Sequence, residues 1–256
     1  MNTSFKQHII HALDQSVRLD KRKLTEYRTI EVKTSVSKTA EGSARVKMGN
    51  TEVIAGVKLL ITQPFPDTPD VGSIMVNAEF LPLASPEFES GPPGNDSIEL
   101  ARVVDRGIRE SKCIDIKGLC ITKGEKAWTV SIDICILNAD GNLLDASALA
   151  AISAIKDARF PEFDGVEVNY KKKTNKEIQL LKTPIAVTIY KIGKHLLVDP
   201  TVEEEKATDT RLTVTTTKEG YICALQKSGS TPLTVDDISE MIELAAEKAK
   251  ELRKYV

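Results

Sequence analysis

Three arginines, Arg102, Arg106 and Arg109, recur within the run from Asp96 to Lys112, DSIELARVVDRGIRESK. At about 100° per residue along a helix they fall within roughly 60° of one another. Leu100, Val103, Val104, Gly107 and Ile108 take the far side of the same cylinder. One face would then pack inward while the other offers three guanidinium forks to phosphate oxygens. A plainer use is open to the same residues. Asp105 stands four positions before Arg109 and Glu110 four after Arg106, the spacing of ion pairs along a solvated helix face.

A second group is acidic. The run from Val198 to Arg211, VDPTVEEEKATDTR, gathers Glu203, Glu204 and Glu205 with Asp199 and Asp209. Together they could hold a divalent ion or supply a general acid, or form a solvated loop, the commoner fate of adjacent glutamates after a proline. Neither a Ser-His-Asp nor a Cys-His group is identifiable, and no GxGxxG or GxxxxGK[ST] loop is present, so the common nucleotide-binding motifs are absent. His8, His11 and His195 have no carboxylate or cysteine at metal-ligand spacing and read as surface or packing residues. Cys113, Cys120, Cys135 and Cys223 form no CxxC pair and sit in or beside apolar runs. That suits reduced, packed thiols of a cytosolic protein, with no structural zinc site expected.

These groups must be positioned by a folded body. Over 256 residues the chain can bury about 70 to 75% of its unfolded surface. Lysine plus arginine is 35 against 37 aspartate plus glutamate, a net charge of −2, so attraction to nucleic acid must come from local patches, which disfavours a free-standing basic RNA binder. Lys6, Asp14 and Arg18 interrupt the amino terminus before a signal-peptide core could form, and no uninterrupted apolar run approaches a membrane span. A soluble, cytoplasmic protein is expected.

Periodicity predicts a short helix over residues 2–14, with Phe5, Ile9 and Leu13 on one face, then a charged connector from Arg18 to Arg22. Strands follow over Thr29–Ser37, Ser43–Met48 and Thr51–Thr62, the last two joined by a tight Gly49-Asn50 turn. Residues 63–72 and 84–95 are proline-rich loops on either side of a strand from Ser73 to Leu83, and the second loop leads into the arginine helix. Trp128 to Ile136 alternates as a half-buried strand. A turn at Asp140-Gly141-Asn142 precedes a helix rich in alanine and serine, Asp145 to Lys156, which Asp145 could cap.

A polar stretch from Asn169 to Lys182 carries Lys171, Lys172, Lys173 and Lys176 and reads as a solvated loop at a domain boundary. Beyond it, strands are predicted over Pro184–Ile192, Leu196–Asp199, Leu212–Thr217 and Tyr221–Lys227. A final helix begins at Thr234 with a capping signature through Asp237. The expected organisation is an amino-terminal helix and connector over 1–25, one domain over 26–168 and a second over 169–256. Both halves read as strands followed by helices, hence an α+β fold of two similar layers of sheet and helix packed together.

The order of these segments resembles the RNase PH-like phosphorolytic exoribonucleases, from about Arg18 to the end of the chain. Carrying the likeness are Arg18-Leu-Asp-Lys-Arg22, the Gly42–Val57 hairpin GSARVKMGNTEVIAGV, Glu99-Leu-Ala-Arg102, the Asp140-Gly141 turn and Val198-Asp199. The runs GPPGNDSIELARVVDRGIRES (Gly91–Ser111) and VDPTVEEEKATD narrow it to the non-catalytic RNase PH-like subunits of archaeal exosomes. The resemblance implies the RNase PH-like fold and a hexameric ring of three heterodimers, each pairing such a subunit with a catalytic one. RNA-binding cap subunits would sit on the ring, and single-stranded RNA would thread through it. It also implies that Arg102 and Arg106 hold RNA backbone, with Arg109 the third candidate on that face.

Departures from the family pattern bear on catalysis. Active members carry a Gly-Thr-Arg type sequence after the Asp-Gly turn to hold the attacking phosphate, where this chain has Asn142-Leu143-Leu144. Active members also place two aspartates six residues apart in the later acidic segment, where this chain has Glu205 and Arg211. Leucines offer phosphate no charge, and a guanidinium cannot accept a proton; loss of one positioned acid or base alone costs about 10²- to 10⁴-fold. The expectation is a subunit without catalytic residues, metal or cofactor of its own, the inorganic phosphate and any divalent ion belonging to the partner's site. Two other readings stay open. One is a phosphorolytic 3′-to-5′ exoribonuclease active in its own right through Glu203 to Glu205 and Asp209; the other is an assembly scaffold that never touches RNA.

Overall fold

A computed structural model describes residues 3–256. The first half runs α1 (Thr3–Asp14), β1 (Ile30–Thr34), β2 (Gly42–Met48), β3 (Thr51–Thr62), β4 (Ser73–Phe80), α2 (Asn95–Glu110), β5 (Cys120–Thr122), β6 (Lys126–Asn138) and α3 (Leu143–Asp157). The second runs β7 (Arg159–Phe163), β8 (Val168–Glu177), β9 (Ile185–Ile192), β10 (His195–Val198), α4 (Val202–Ala207), β11 (Thr210–Thr216), β12 (Ile222–Ser228) and α5 (Val235–Leu252). Asn2, at the start of the predicted first helix, lies outside the described residues.

The strands form two principal sheets. One has the order β1-β2-β3-β6-β4, with β5 hydrogen-bonded to β6; the other has the order β10-β9-β11-β12. β4 runs parallel to β6, whereas the other pairings are antiparallel. Period-two burial sets the register. Val53, Ala55, Val57 and Leu59 of β3 are fully buried, as are Ile132, Ile134 and Ile136 of β6. Met48 opposite Thr51 makes Gly49-Asn50 a two-residue hairpin turn, as the sequence predicts.

Helices α2 and α3 lie between the sheets. α3 contacts β2 and β3 on one side and β9 on the other. Its Ala146, Ser147, Ala150, Ala151, Ser153 and Ala154 are all buried, because small side chains let both sheets approach. β9 is therefore buried on both faces. Its Thr188 amide meets Asp145 of α3, while its Lys191 pairs with Asp237 at the start of α5. The result is an α+β arrangement, with α2 and α3 on the first sheet and α5 on the outer face of the second.

Three local expectations are corrected. The stretch from Asn169 is not a loop: β8 pairs with β7 across a turn in which Asp164 accepts from the amides of Val166 and Glu167, both at 2.8 Å. Lysines mask the strand because β8 is exposed along nearly its whole length, so its residues need no apolar alternation. Asp145 does not cap α3. The N-cap is Asn142, and Asp145 is turned into the core. Glu203 to Glu205 belong to α4, whose capping box joins Thr201 to Glu204, rather than to a solvated loop.

Candidate nucleic-acid interface

The amphipathic reading of α2 is borne out residue by residue. Leu100, Val103, Val104, Gly107 and Ile108 are buried, whereas Arg102, Arg106 and Arg109 are exposed. A Cβ at Gly107 would lie 3.1 Å from Thr215 Oγ1, so the glycine lets α2 rest directly on β11.

The three arginines are held differently. Arg102 has no hydrogen-bond or ion-pair partner among the described residues, so its fork is free. Arg106 Nη1 donates to Gln226 Oε1 at 3.0 Å. Arg109 pairs with Asp105 at 2.8 Å and also donates through Nη2 to the Ile74 carbonyl at 2.8 Å, tying α2 to β4. The predicted i to i+4 pairing is thus realised for Asp105 and Arg109, and Arg106 turns to the second sheet instead of to Glu110.

One turn earlier on α2, Glu99 pairs at 3.0 Å with Arg211 of β11. Arg211 and Glu205 line a cavity of about 230 Å³ together with Leu100, Leu143, Leu144 and Tyr190. Between the lining residues Gly141 and Leu143, Asn142 is fully buried at a φ of 54°, a left-handed conformation that asparagine tolerates. Gly141 before it is pressed onto the chain, since a Cβ there would meet the Pro200 carbonyl oxygen at 2.3 Å. The Asn142 amide donates to Glu205 Oε1 at 2.9 Å, and the Tyr190 hydroxyl donates to the same oxygen at 3.1 Å. Burial pushes the Glu205 carboxyl above its usual range, more than these hydrogen bonds draw it down.

The acidic residues do not converge. Glu203 is exposed, Glu204 is held by Arg18, Glu205 by Asn142 and Tyr190, and Asp209 by Lys6. Asp199 is fully buried at a φ of 48° and is taken by arginines: Arg28 reaches it at 2.7 Å and Arg22 at 3.0 Å. Burial works to raise its pKa, but Arg28 and Arg22 together hold it below the usual carboxylate range. Among the described residues no three His, Cys, Asp or Glu side chains are grouped to hold a metal ion.

A buried clasp went unread in the sequence. Arg18 of the connector is 1% exposed, donates to both Glu204 oxygens at 2.9 and 2.5 Å, and reaches the carbonyls of Val198 and Asp199 at 3.1 and 2.9 Å. Arg28 donates to the carbonyls of Asp140 and Gly141 at 2.6 and 3.2 Å. Arg18, Arg22, the Asp140-Gly141 turn and Val198-Asp199, far apart in the chain, are therefore one network joining the connector, the α3 turn and the second sheet. The signal available is Arg18-Leu-Asp-Lys-Arg22 itself, which by sequence reads only as a charged connector.

Two sheets with helices between them, and an arginine face beside a cavity at the α3 turn, define a class. This chain belongs to the 3′ exoribonuclease family: residues 26–161 match its domain 1 and residues 182–248 its domain 2. Over 251 residues it is 49% identical to exosome complex component Rrp42 of Methanocella arvoryzae, covering 97% of this chain and 94% of that protein. It is 44% identical over 260 residues to exosome complex component Rrp42 of Pyrococcus furiosus, covering 98% and 92%. A chain of the Archaeoglobus fulgidus exosome with RNA bound to the active site superposes with a TM-score of 0.91 at 45% identity, over 98% of this chain and 97% of that one. A chain of an archaeal exosome core gives 0.86 at 42% identity, over 98% and 95%.

Proposed function

We propose that this chain is a non-catalytic RNase PH-like subunit of an exosome ring, built from domains over 26–168 and 169–256 and working in the cytoplasm in 3′-to-5′ RNA degradation. Its partner would be a catalytic RNase PH-like subunit, three heterodimers to a hexameric ring, with RNA-binding cap subunits above. The observation that carries the reading is the 2.9 Å hydrogen bond from the Asn142 amide to Glu205. It lies where active relatives offer a phosphate-holding sequence. Here the amide already has an anion, two leucines follow it, and Arg211 stands where a second acid would be needed. Inorganic phosphate, with or without a divalent ion, then belongs to the partner's site.

The chain's own chemistry is positioning. Arg102 and Arg106 on α2 would grip phosphates of a single strand, so that the terminal linkage meets the partner's phosphate ion in line. Arg109, held by Asp105 and Ile74, contributes less. Backbone contacts carry little base information, so RNA of many sequences is accepted.

The test is incubation of the purified chain, alone and with a catalytic partner, with RNA and inorganic phosphate. Nucleoside diphosphates are expected only from the pair. Shortening of RNA by the chain alone would overturn the reading.

A further inference from the structure

We propose that Gln226 is a positioning residue for RNA, aiming Arg106 while leaving its charge uncancelled. The inference rests on the reading of α2 as an RNA-contacting face and goes beyond it to a residue on the other sheet. Because Gly107 lets α2 settle on β11, the next strand, β12, comes within reach of α2. Gln226 stands opposite Thr213 in that pairing, and its Oε1 accepts from Arg106 Nη1 at 3.0 Å. Its Nε2 donates to the Lys227 carbonyl at 3.3 Å, so the other end of the amide is occupied and the oxygen is the end left for Arg106.

The type of acceptor decides the consequence. Arg109 is oriented by the Asp105 carboxylate, which compensates the charge it orients. Arg106 is oriented by a neutral amide and has no carboxylate partner among the described residues. Of the acids near it on α2, Asp105 is engaged by Arg109 and Glu99 by Arg211, and the exposed Glu110 one turn on forms no ion pair with Arg106. A guanidinium fixed on one nitrogen by a neutral acceptor loses less freedom on meeting a phosphate and keeps its full attraction for it.

The experiment uses the full chain reconstituted with its catalytic partner. A single-stranded homopolymer RNA is titrated over a series of salt concentrations, with inorganic phosphate withheld so that the RNA stays intact. Gln226→Glu converts the neutral contact into an ion pair. It is expected to lower affinity about tenfold and to reduce the slope of log affinity against log salt by about 0.7, one phosphate contact on a single strand. Gln226→Ala frees the guanidinium without cancelling it, so affinity falls about threefold and the slope stays.

Arg106→Ala separates the two claims. If it leaves affinity and slope unchanged, the RNA-contacting reading of α2 fails. If it weakens binding while Gln226→Glu leaves the slope alone, or if Gln226→Ala and Gln226→Glu reduce the slope equally, Gln226 does not set the charge of Arg106 and the inference fails by itself. Thermal midpoints of the variants distinguish these results from a folding defect.

Discussion

The main-chain amide of Asn142 and the carboxylate of Glu205 meet at 2.9 Å, so the first turn of α3 finds its anion inside the chain. An amide at that place is a natural donor to an oxyanion, and Glu205 fills the role with help from Tyr190. Glu205→Ala would strand both donors in a partly buried setting, and destabilisation of about 1–3 kcal/mol is expected in urea titrations. The wild-type chain should leave the ³¹P resonance of inorganic phosphate unshifted, since both donors are taken. Phosphate binding at the wild-type turn would contradict the internal-anion account.

Arg18 and Glu204 form a pair with side chains 0% and 1% exposed, inside the clasp that joins the connector to the second sheet. Removing one member leaves the other charged and buried, which costs about 3–5 kcal/mol. Arg18→Met should lower stability by that amount. The double variant Arg18→Met, Glu204→Met should recover much of the loss, because replacing both charges removes the uncompensated one. A double variant no more stable than Arg18→Met would mean that the backbone carbonyls of Val198 and Asp199, not Glu204, are what Arg18 chiefly serves.

Two buried aspartates give opposite pH dependences. Asp145 is pushed up to about 7, first by burial, against hydrogen bonds from the Thr188 amide, the Tyr27 hydroxyl and Asn142. Its folded value lies above its ordinary 3.8, so its contribution to stability is full at pH below that value and is lost as pH rises through about 7. Asp199 behaves inversely: its arginines hold it below 3.8, so its contribution is present above that pH and is lost as pH falls below it. The urea midpoint should therefore fall between pH 5 and pH 8, and the fall should flatten in Asp145→Asn. An unflattened slope would assign the effect to another group.

How much was legible follows from which force acts at each place. Burial periodicity wrote β3, β6, α2 and α5 plainly, down to the Thr234 and Asp237 capping box, because an apolar face leaves a regular pattern. β8 was missed because backbone pairing holds it and its side chains face solvent. The burial of Arg18 and Asp199 is hidden for the opposite reason: charge normally signals the surface, and their burial depends on partners about 180 residues away, which no local window displays. The candidate arginines were found as a set. Which of them is free was not legible, since Gln226 and the Ile74 carbonyl arrive from other strands.

That difference among the arginines sets the last expectation. Arg102 is unpartnered among the described residues, whereas Arg109 faces a carboxylate at 2.8 Å and a main-chain carbonyl at the same distance. To meet a phosphate, Arg109 must first leave both, and its charge is compensated until it does. Arg102→Ala in the reconstituted ring should therefore lower RNA affinity about tenfold and take about 0.7 from the salt slope. Arg109→Ala should leave the slope in place and cost about 0.3–0.5 kcal/mol of stability, the worth of an exposed helical ion pair. Salt titrations of the two variants in parallel decide the matter. If they lose equal slope, Arg109 must exchange Asp105 for phosphate when RNA arrives, and the division of labour along α2 drawn from the free chain would have to be abandoned.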